Sequence, residues 1–322
     1  VKAIYIDKTE ADYTCQLAEI TLEQPEKVLL QVEYSGINYK DALAVTGKSP
    51  VVRNFPMVPG IDCAGKVIAS QDPRFVAGEQ VLLTGFGVGE KYWGGLAEQA
   101  SFNPDFLVKM PEGLTSFTAM AVGTAGFTAM LCVQALIKHG ITADKGKVLV
   151  TGATGGVGSY ALIFLAKLGY QVVAVTGKAE QVEHLKALGA SEVLLRSELE
   201  QAGKPLMKER WAGAIDCLGG QVLANILAST AYGGAVACCG LAASMDLPAT
   251  VAPFILRGVS LLGIDSVMYP IELRQDIWQQ IAELISEEEV KSFTQVITLE
   301  EVIPSCQKLI QGKVTGRLVV KL

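Results

Sequence analysis

The chain has 322 residues, of which half are apolar and 19% charged, and its formal net charge is −6. Such a chain buries large cores instead of staying disordered, and its length suits about two domains. The acidic balance argues against a nucleic-acid partner, because phosphate backbones call for a basic surface.

Residues 1–100 hold short apolar runs broken by Gly, Pro and Asn. KVLLQVEYSGIN (27–38), DCAGKVIAS (62–70) and EQVLLTGFG (79–87) read as strands of a mostly β region with many turns. The opening VKAIYIDKTE lacks the apolar stretch of a signal peptide. Residues 114–137 carry no charge, yet Gly123, Gly126, Gln134 and several Thr and Ser make them too polar for a membrane span. No membrane association is expected.

From about residue 121 the texture changes. KVLVTG (147–152) reads as a buried strand and SYALIFLAKLG (159–169) as a helix closed by glycine. QVVAVTG (171–177) is a strand, EQVEHLKALGA (180–190) a helix, and QVLANILAST (221–230) another. SEVLL, AGAIDCLG, GGAVACCG and VSLLGID continue the strands. Strands alternating with helices of this length argue for a doubly wound parallel sheet. PIELRQDIWQQIAELISE (270–287) reads as a long helix and GRLVVKL (316–322) as a closing strand that returns to the first domain. We therefore expect one domain from 1–121 with 264–322, and a second inserted at 122–263.

Seven cysteines are scattered without a CxxC pair. That pattern fits a reduced, cytoplasmic chain better than a disulfide framework.

VLVTGATGGVGSYAL (148–162) is the most informative segment. A strand, a glycine-rich turn and a helix follow one another, as a dinucleotide-binding βαβ unit requires. Glycines let the backbone approach a pyrophosphate, and the helix N-terminus offers it free N–H groups. Thr154, Gly155, Gly156, Val157 and Gly158 form this loop, with Ala153 where a strict G-x-G-x-x-G has its first glycine. An NAD site would place Asp or Glu at the end of the second strand. Thr176 and Gly177 stand there instead, followed by Lys178, and Arg196 comes just after the third strand. An acid would repel a 2'-phosphate, whereas these residues hold one. Charge-assisted hydrogen bonds are worth about 1.5–3 kcal/mol each, so two favour NADPH by about a hundredfold or more.

GINYKDALAVTGK (36–48), PGIDCAGKV (59–67), GGLAEQA (94–100), GTAGFTAM (123–130) and TGATGGVG (151–158) resemble, in this order, the signatures of medium-chain dehydrogenase/reductases. RNFPMVPGID (53–62), LLTGFGVGEKYWGGLAEQ (82–99), WAGAIDCLGG (211–220) and PFILRGVSLLGIDSVM (253–268) are similar to its zinc-free acrylyl-CoA reductase branch, the YhdH/YhfP type. The resemblance implies an α/β fold: a GroES-like mostly β domain plus a Rossmann domain. It implies a cytoplasmic homodimer that binds NADPH, with Tyr39 beside the nicotinamide, Leu241, Ile255 and Ser266 lining that side, and Thr176, Gly177, Lys178 and Arg196 at the 2'-phosphate.

Zinc-dependent relatives carry Gly-His-Glu where this chain has PGID, so Ile61 replaces the histidine. Residues 85–100 lack the cysteines of a structural zinc lobe, and no metal is expected. Without a Lewis acid, an alkene conjugated to a carbonyl is the easier substrate. Hydride addition at its β-carbon leaves negative charge on the carbonyl oxygen, which preorganised donors stabilise. Asn38 and Tyr39 are the candidates for positioning and hydrogen bonding, with Asp41 orienting them. Alternative local roles are a turn residue for Asn38, a helix cap for Asp41 and stacking for Tyr39. Lys48 and Arg53 are candidates for CoA phosphates, although plain solvated surface charges are the slightly favoured reading. The implied activity is NADPH-dependent reduction of a short enoyl-CoA, acrylyl-CoA to propionyl-CoA. A quinone or free-enone reductase and a non-enzymatic NADPH-binding protein are the alternatives.

Overall fold

The structure, a computed structural model, describes residues 1–10, 12–22 and 28–322. Lys27, the first residue of one expected strand, lies outside them. The chain divides into two units, Val1–Thr124 with Ser266–Leu322, and Ala125–Asp265.

The first unit opens with β1 (Lys2–Lys8) and β2 (Tyr13–Glu19), an antiparallel pair. Then come β3 (Val28–Ile37), α1 (Tyr39–Thr46), β4 (Asp62–Ser70), β5 (Gln80–Thr84), β6 (Gln99–Phe102) and β7 (Val108–Lys109). β3 alternates buried and half-buried positions before ending fully buried, so it is a central strand. It pairs antiparallel with β4 on one side and with β6 along its first residues. α1 begins after Asn38, whose backbone is extended, and stops at Gly47 in the left-handed region (φ 65°).

The helical run α2 (Ser116–Lys138) is interrupted at Gly123, whose φ of 52° and ψ of −156° are not helical. By length and composition this run could cross a membrane, but most of its apolar window is buried in protein.

The second unit is a succession of strands and helices. These are β8 (Val148–Val150), α3 (Gly156–Lys167), β9 (Val172–Thr176), α4 (Val182–Ala187), β10 (Glu192–Leu195), β11 (Trp211–Asp216), α5 (Gly220–Ala228), β12 (Thr230–Cys238), α6 (Ala252–Arg257) and β13 (Ser260–Gly263). Among the described residues they form one parallel sheet in the order β10-β9-β8-β11-β12-β13. β8, β9 and β11 are buried at every residue, as strands covered on both faces must be. The order reverses between β8 and β11, and a crevice opens at such a switch point, beyond the carboxyl ends of the strands. The unit is the Rossmann sheet expected from the sequence.

The chain then returns to the first unit with α7 (Ile271–Leu284), α8 (Glu287–Lys291), β14 (Thr294–Ile297), α9 (Val302–Ile310) and β15 (Arg317–Lys321). The single helix expected over 270–287 is shorter. Ile285 turns extended, and the Ser286 hydroxyl caps a new helix by accepting from the Glu289 N–H at 3.2 Å. β15 pairs antiparallel with β3 and parallel with β14, extending the first unit's sheet. Ile37, Ala42, Val45, Leu318 and Val320 close the core beneath α1 and α9.

Candidate active site

In the first unit, chemistry gathers at the start of α1. Asp41 is buried, and its two carboxylate oxygens accept from the Asn38 backbone N–H at 2.8 Å and the Ile61 N–H at 2.9 Å. It thus ties the helix start to the PGID segment. Burial pushes its carboxyl up to about 7, reinforced by the neighbouring Asp62 charge and opposed by those hydrogen bonds. Asp62, also buried, accepts from the Asn38 side-chain amide at 2.7 Å, and from the Thr124 N–H at 2.7 Å and its hydroxyl. Burial raises the Asp62 carboxyl, while Thr124, Asn38 and the Arg317 charge pull it back. The buried Arg317 guanidinium donates to the Ala121 carbonyl at 2.9 Å and reaches the Asn38 side-chain oxygen at 3.4 Å. Gly123 makes this packing possible, since a Cβ there would lie 2.4 Å from an Asp62 oxygen. Tyr39, the first helical residue, is 58% exposed beside this buried network. Ser266 instead offers its carbonyl to the Arg274 guanidinium at 2.9 Å. Lys48 and Arg53 are exposed.

In the second unit, Gly155 precedes α3 in an extended conformation, and the turn closes with the Gly155 N–H on the Gly152 carbonyl at 2.8 Å. A Cβ on Gly158 would sit 2.2 Å from that carbonyl, so only glycine lets the helix pack onto the turn. Ala153 is buried, with its N–H on the Val175 carbonyl at 3.1 Å. The first motif position therefore faces the sheet, and a methyl group fits there. The first N–H groups of α3 have no carbonyl behind them in the helix and suit an anion. Behind the turn, the Thr151 hydroxyl donates to Asp216 at 2.8 Å and accepts from the Cys217 N–H at 2.9 Å. Asp216 also accepts from the Gly219 N–H at 2.7 Å, and burial pushes its carboxyl up to about 6.

At the other end of this crevice Thr176 is buried, and its hydroxyl accepts from the Lys178 N–H at 3.0 Å. Leu195 pairs with Thr176, which brings Arg196 beside Gly177. A Cβ on Gly177 would be 3.2 Å from the Arg196 guanidinium carbon, so glycine is what admits the arginine. Arg196 pairs with Glu200 at 2.7 Å. Leu241 and Ile255 are exposed apolar residues of this unit.

Each unit thus brings its own candidates together: Asn38, Tyr39 and Asp41 in one, and 154–158 with 176–178 and 196 in the other. The sequence reading missed Asp62, Thr124, Arg317, Thr151 and Asp216. Asp62 and Asp216 lay inside motifs already noted, PGID and AIDCLGG. Arg317 had no local signal.

A glycine-rich turn at a Rossmann switch point, and a first unit built on a mostly antiparallel sheet, define a two-domain dehydrogenase or reductase. Residues 24–112 match the alcohol dehydrogenase GroES-like domain, and residues 156–287 match the zinc-binding dehydrogenase family. The chain is 54% identical to the probable acrylyl-CoA reductase AcuI of Escherichia coli K12, over 92% of this chain and 91% of that protein. The solved YhdH oxidoreductase of Salmonella enterica in complex with NADP superposes with a TM-score of 0.97 at 48% identity, covering 100% of both chains. Bacillus subtilis YhfP, solved with NAD bound, superposes at 0.95 with 44% identity, covering 100% of this chain and 99% of that one. The chain is a medium-chain dehydrogenase/reductase. Within that superfamily it belongs to the family of the acrylyl-CoA reductase AcuI and the YhdH/YhfP oxidoreductases.

Proposed function

We infer that this chain reduces the activated carbon–carbon double bond of a short enoyl-CoA with NADPH, converting acrylyl-CoA to propionyl-CoA. The observation that carries the cofactor is the crevice end at Gly177. β9 ends in Thr176 and Gly177 with no carboxylate, and the Arg196 guanidinium, paired with Glu200, lies against Gly177. The likeness to AcuI supports the thioester substrate.

In this reading residues 1–121 with 264–322 form the catalytic domain and 122–263 the cofactor domain. Thr154 to Gly158 hold the pyrophosphate, and Thr176, Gly177, Lys178 and Arg196 hold the 2'-phosphate. Tyr39, Leu241, Ile255 and Ser266 line the nicotinamide. When bound, NADPH would supply the hydride for the β-carbon, and protonation of the resulting enolate at the α-carbon, by solvent in this reading, completes the reduction. Asn38 and Tyr39 position the thioester and donate to its carbonyl oxygen as negative charge develops there. Asp41 fixes Asn38 through its backbone N–H, and Asp62 and Arg317 fix the amide from either side. Lys48 and Arg53 take the CoA phosphates.

The reaction needs no metal in this reading. Ile61 stands where zinc relatives carry histidine, and the adjoining Asp62 is already engaged by Asn38 and Thr124. A cytoplasmic homodimer completes the proposal, the exposed Met245, Val251 and Leu256 offering apolar surface to a second copy.

The test is NADPH and NADH oxidation with acrylyl-CoA, crotonyl-CoA, a free enone and a quinone. Turnover of acrylyl-CoA with NADPH is expected. Good turnover of the enone or quinone beside none of the thioesters overturns the substrate. Preference for NADH overturns the cofactor.

A further inference from the structure

The second unit holds a cluster of thiols that the reduction reaction does not use. Cys217 follows β11 and Cys239 follows β12, and their Sγ atoms lie 3.8 Å apart. Cys132, buried on α2, also hydrogen-bonds to Cys239. Cys217 and Cys239 are only partly buried.

Their placement is set by sheet register. Asp216 pairs with Cys238 in the parallel ladder, and the Cys239 N–H donates to the Asp216 carbonyl at 3.0 Å, so the ladder continues to Cys217 and Cys239. Neighbouring strands run about 4.8 Å apart. That separation falls within the Cα spacing of roughly 4.4–6.8 Å that a disulfide spans. To close the bond the sulfurs must move from 3.8 Å apart to about 2.05 Å. Hydrogen bonds from Cys132 and Cys217 hold the Cys239 thiol below its ordinary value, the condition of an attacking thiolate.

The pair also touches the proposed cofactor crevice. The Cys217 N–H is held by the Thr151 hydroxyl, and the Cys217 Cβ lies 3.4 Å from where Gly152 would carry its own. A Cβ on Gly240 would be 2.4 Å from the Cys217 carbonyl oxygen, so the segment leading to Leu241 packs on the same residue. Cys217 thus packs both on the start of the phosphate turn and on the segment leading to Leu241, and a shift of this residue reaches both.

We propose that Cys217 and Cys239 form a reversible disulfide, closed by hydrogen peroxide, that weakens NADPH binding when it forms. The Cys239 thiolate attacks a peroxide oxygen, so an S–O bond forms, the O–O bond breaks and water leaves after protonation. The Cys217 sulfur then attacks Cys239, so the S–S bond forms, the S–O bond breaks and the departing hydroxide takes the Cys217 proton as a second water. Two electrons pass from the thiols to the peroxide. A dithiol restores the pair by exchange.

The disulfide itself is independent of the functional reading; its effect on NADPH rests on it. The experiment has two arms, both on the full chain. In the first, the protein is treated with hydrogen peroxide under denaturant-free conditions, alkylated and mapped by mass spectrometry. A cross-linked Cys217–Cys239 peptide, lost on dithiothreitol, is expected. In Cys217→Ser the cross-link is absent and Cys239 proceeds to the sulfinic acid. Peroxide-treated wild type without this cross-link, or with Cys132 or Cys238 as the partner, overturns the proposal even if the variant fails to fold. In the second arm NADPH affinity is measured before and after oxidation. A loss of about tenfold is expected, and by reciprocity saturating NADPH then raises the pair's reduction potential by about 30 mV. An intact cross-link with unchanged NADPH affinity removes the regulatory effect alone. Absence of NADPH binding in both states faults the cofactor reading instead.

Discussion

The side-chain amide of Asn38 donates to Asp62 at 2.7 Å while its carbonyl oxygen faces Arg317 at 3.4 Å. The amide therefore bridges a buried carboxylate and a buried guanidinium, and its orientation is fixed from both ends. Asn38→Ala frees neither partner to solvent. We expect kcat to fall by about a hundredfold, as for loss of one preorganised element of an oxyanion site, with NADPH affinity unchanged. Steady-state kinetics beside a cofactor titration check this.

Asp62→Ala removes the acceptor of the Asn38 amide and the Thr124 N–H and leaves these buried donors unpaired. Leaving a buried donor unsatisfied costs about 1–3 kcal/mol, and urea unfolding should show a loss of at least that size. Asp62→Asn keeps the shape and should lose less. Equal stability of wild type and Asp62→Ala would contradict the arrangement.

Asp41 makes stability depend on pH. Its carboxyl is raised to about 7 in the folded chain from an ordinary value of 3.8. Between those values the folded state binds more protons than the unfolded one, so stability falls as pH rises and levels off above about 7. This slope should be smaller in Asp41→Asn, which does not titrate. Chemical denaturation across that window compares the two. A wild-type slope of opposite sign at this site, taken as the difference from Asp41→Asn, would refute it.

The Gly177–Arg196 approach makes cofactor choice testable. Arg196→Ala should weaken NADPH by about tenfold to a hundredfold and leave NADH unaffected, the range for one charge-assisted hydrogen bond. Gly177→Asp puts a carboxylate against the guanidinium and should turn preference towards NADH. The readout is kcat/KM for both nucleotides.

Gly158→Ala probes the phosphate turn. Its new Cβ would lie 2.2 Å from the Gly152 carbonyl oxygen, which is backbone and cannot swing aside. Cofactor binding should be lost, with a stability decrease of about 1–3 kcal/mol from overpacking. Calorimetric titration and thermal melting separate the two effects.

The Rossmann strands were legible because fully buried strands read as unbroken apolar runs, and the phosphate turn because its glycines answer to backbone clearance. What stayed hidden was set by distant packing. Arg317 sits in a short strand like any other, and only the pairing of that strand with Ser35–Ile37 brings it to Asn38. The break at Ile285 was hidden for the opposite reason. A local Ser286 cap outweighed a periodicity that runs straight through it. Thr176, read as a phosphate ligand, accepts from the Lys178 N–H within its own turn, a contact the sequence did not reveal and one that leaves its hydroxyl hydrogen to donate.

Residues 125–265 are contiguous, whereas the first unit is closed by a strand that arrives near residue 317. During synthesis the nucleotide-binding half can settle as soon as it is exposed. The amino-terminal half must wait for its last strand, and with it the arginine that completes the Asn38 cluster. An incomplete nascent chain thus acquires its cofactor fold before its Asn38 cluster.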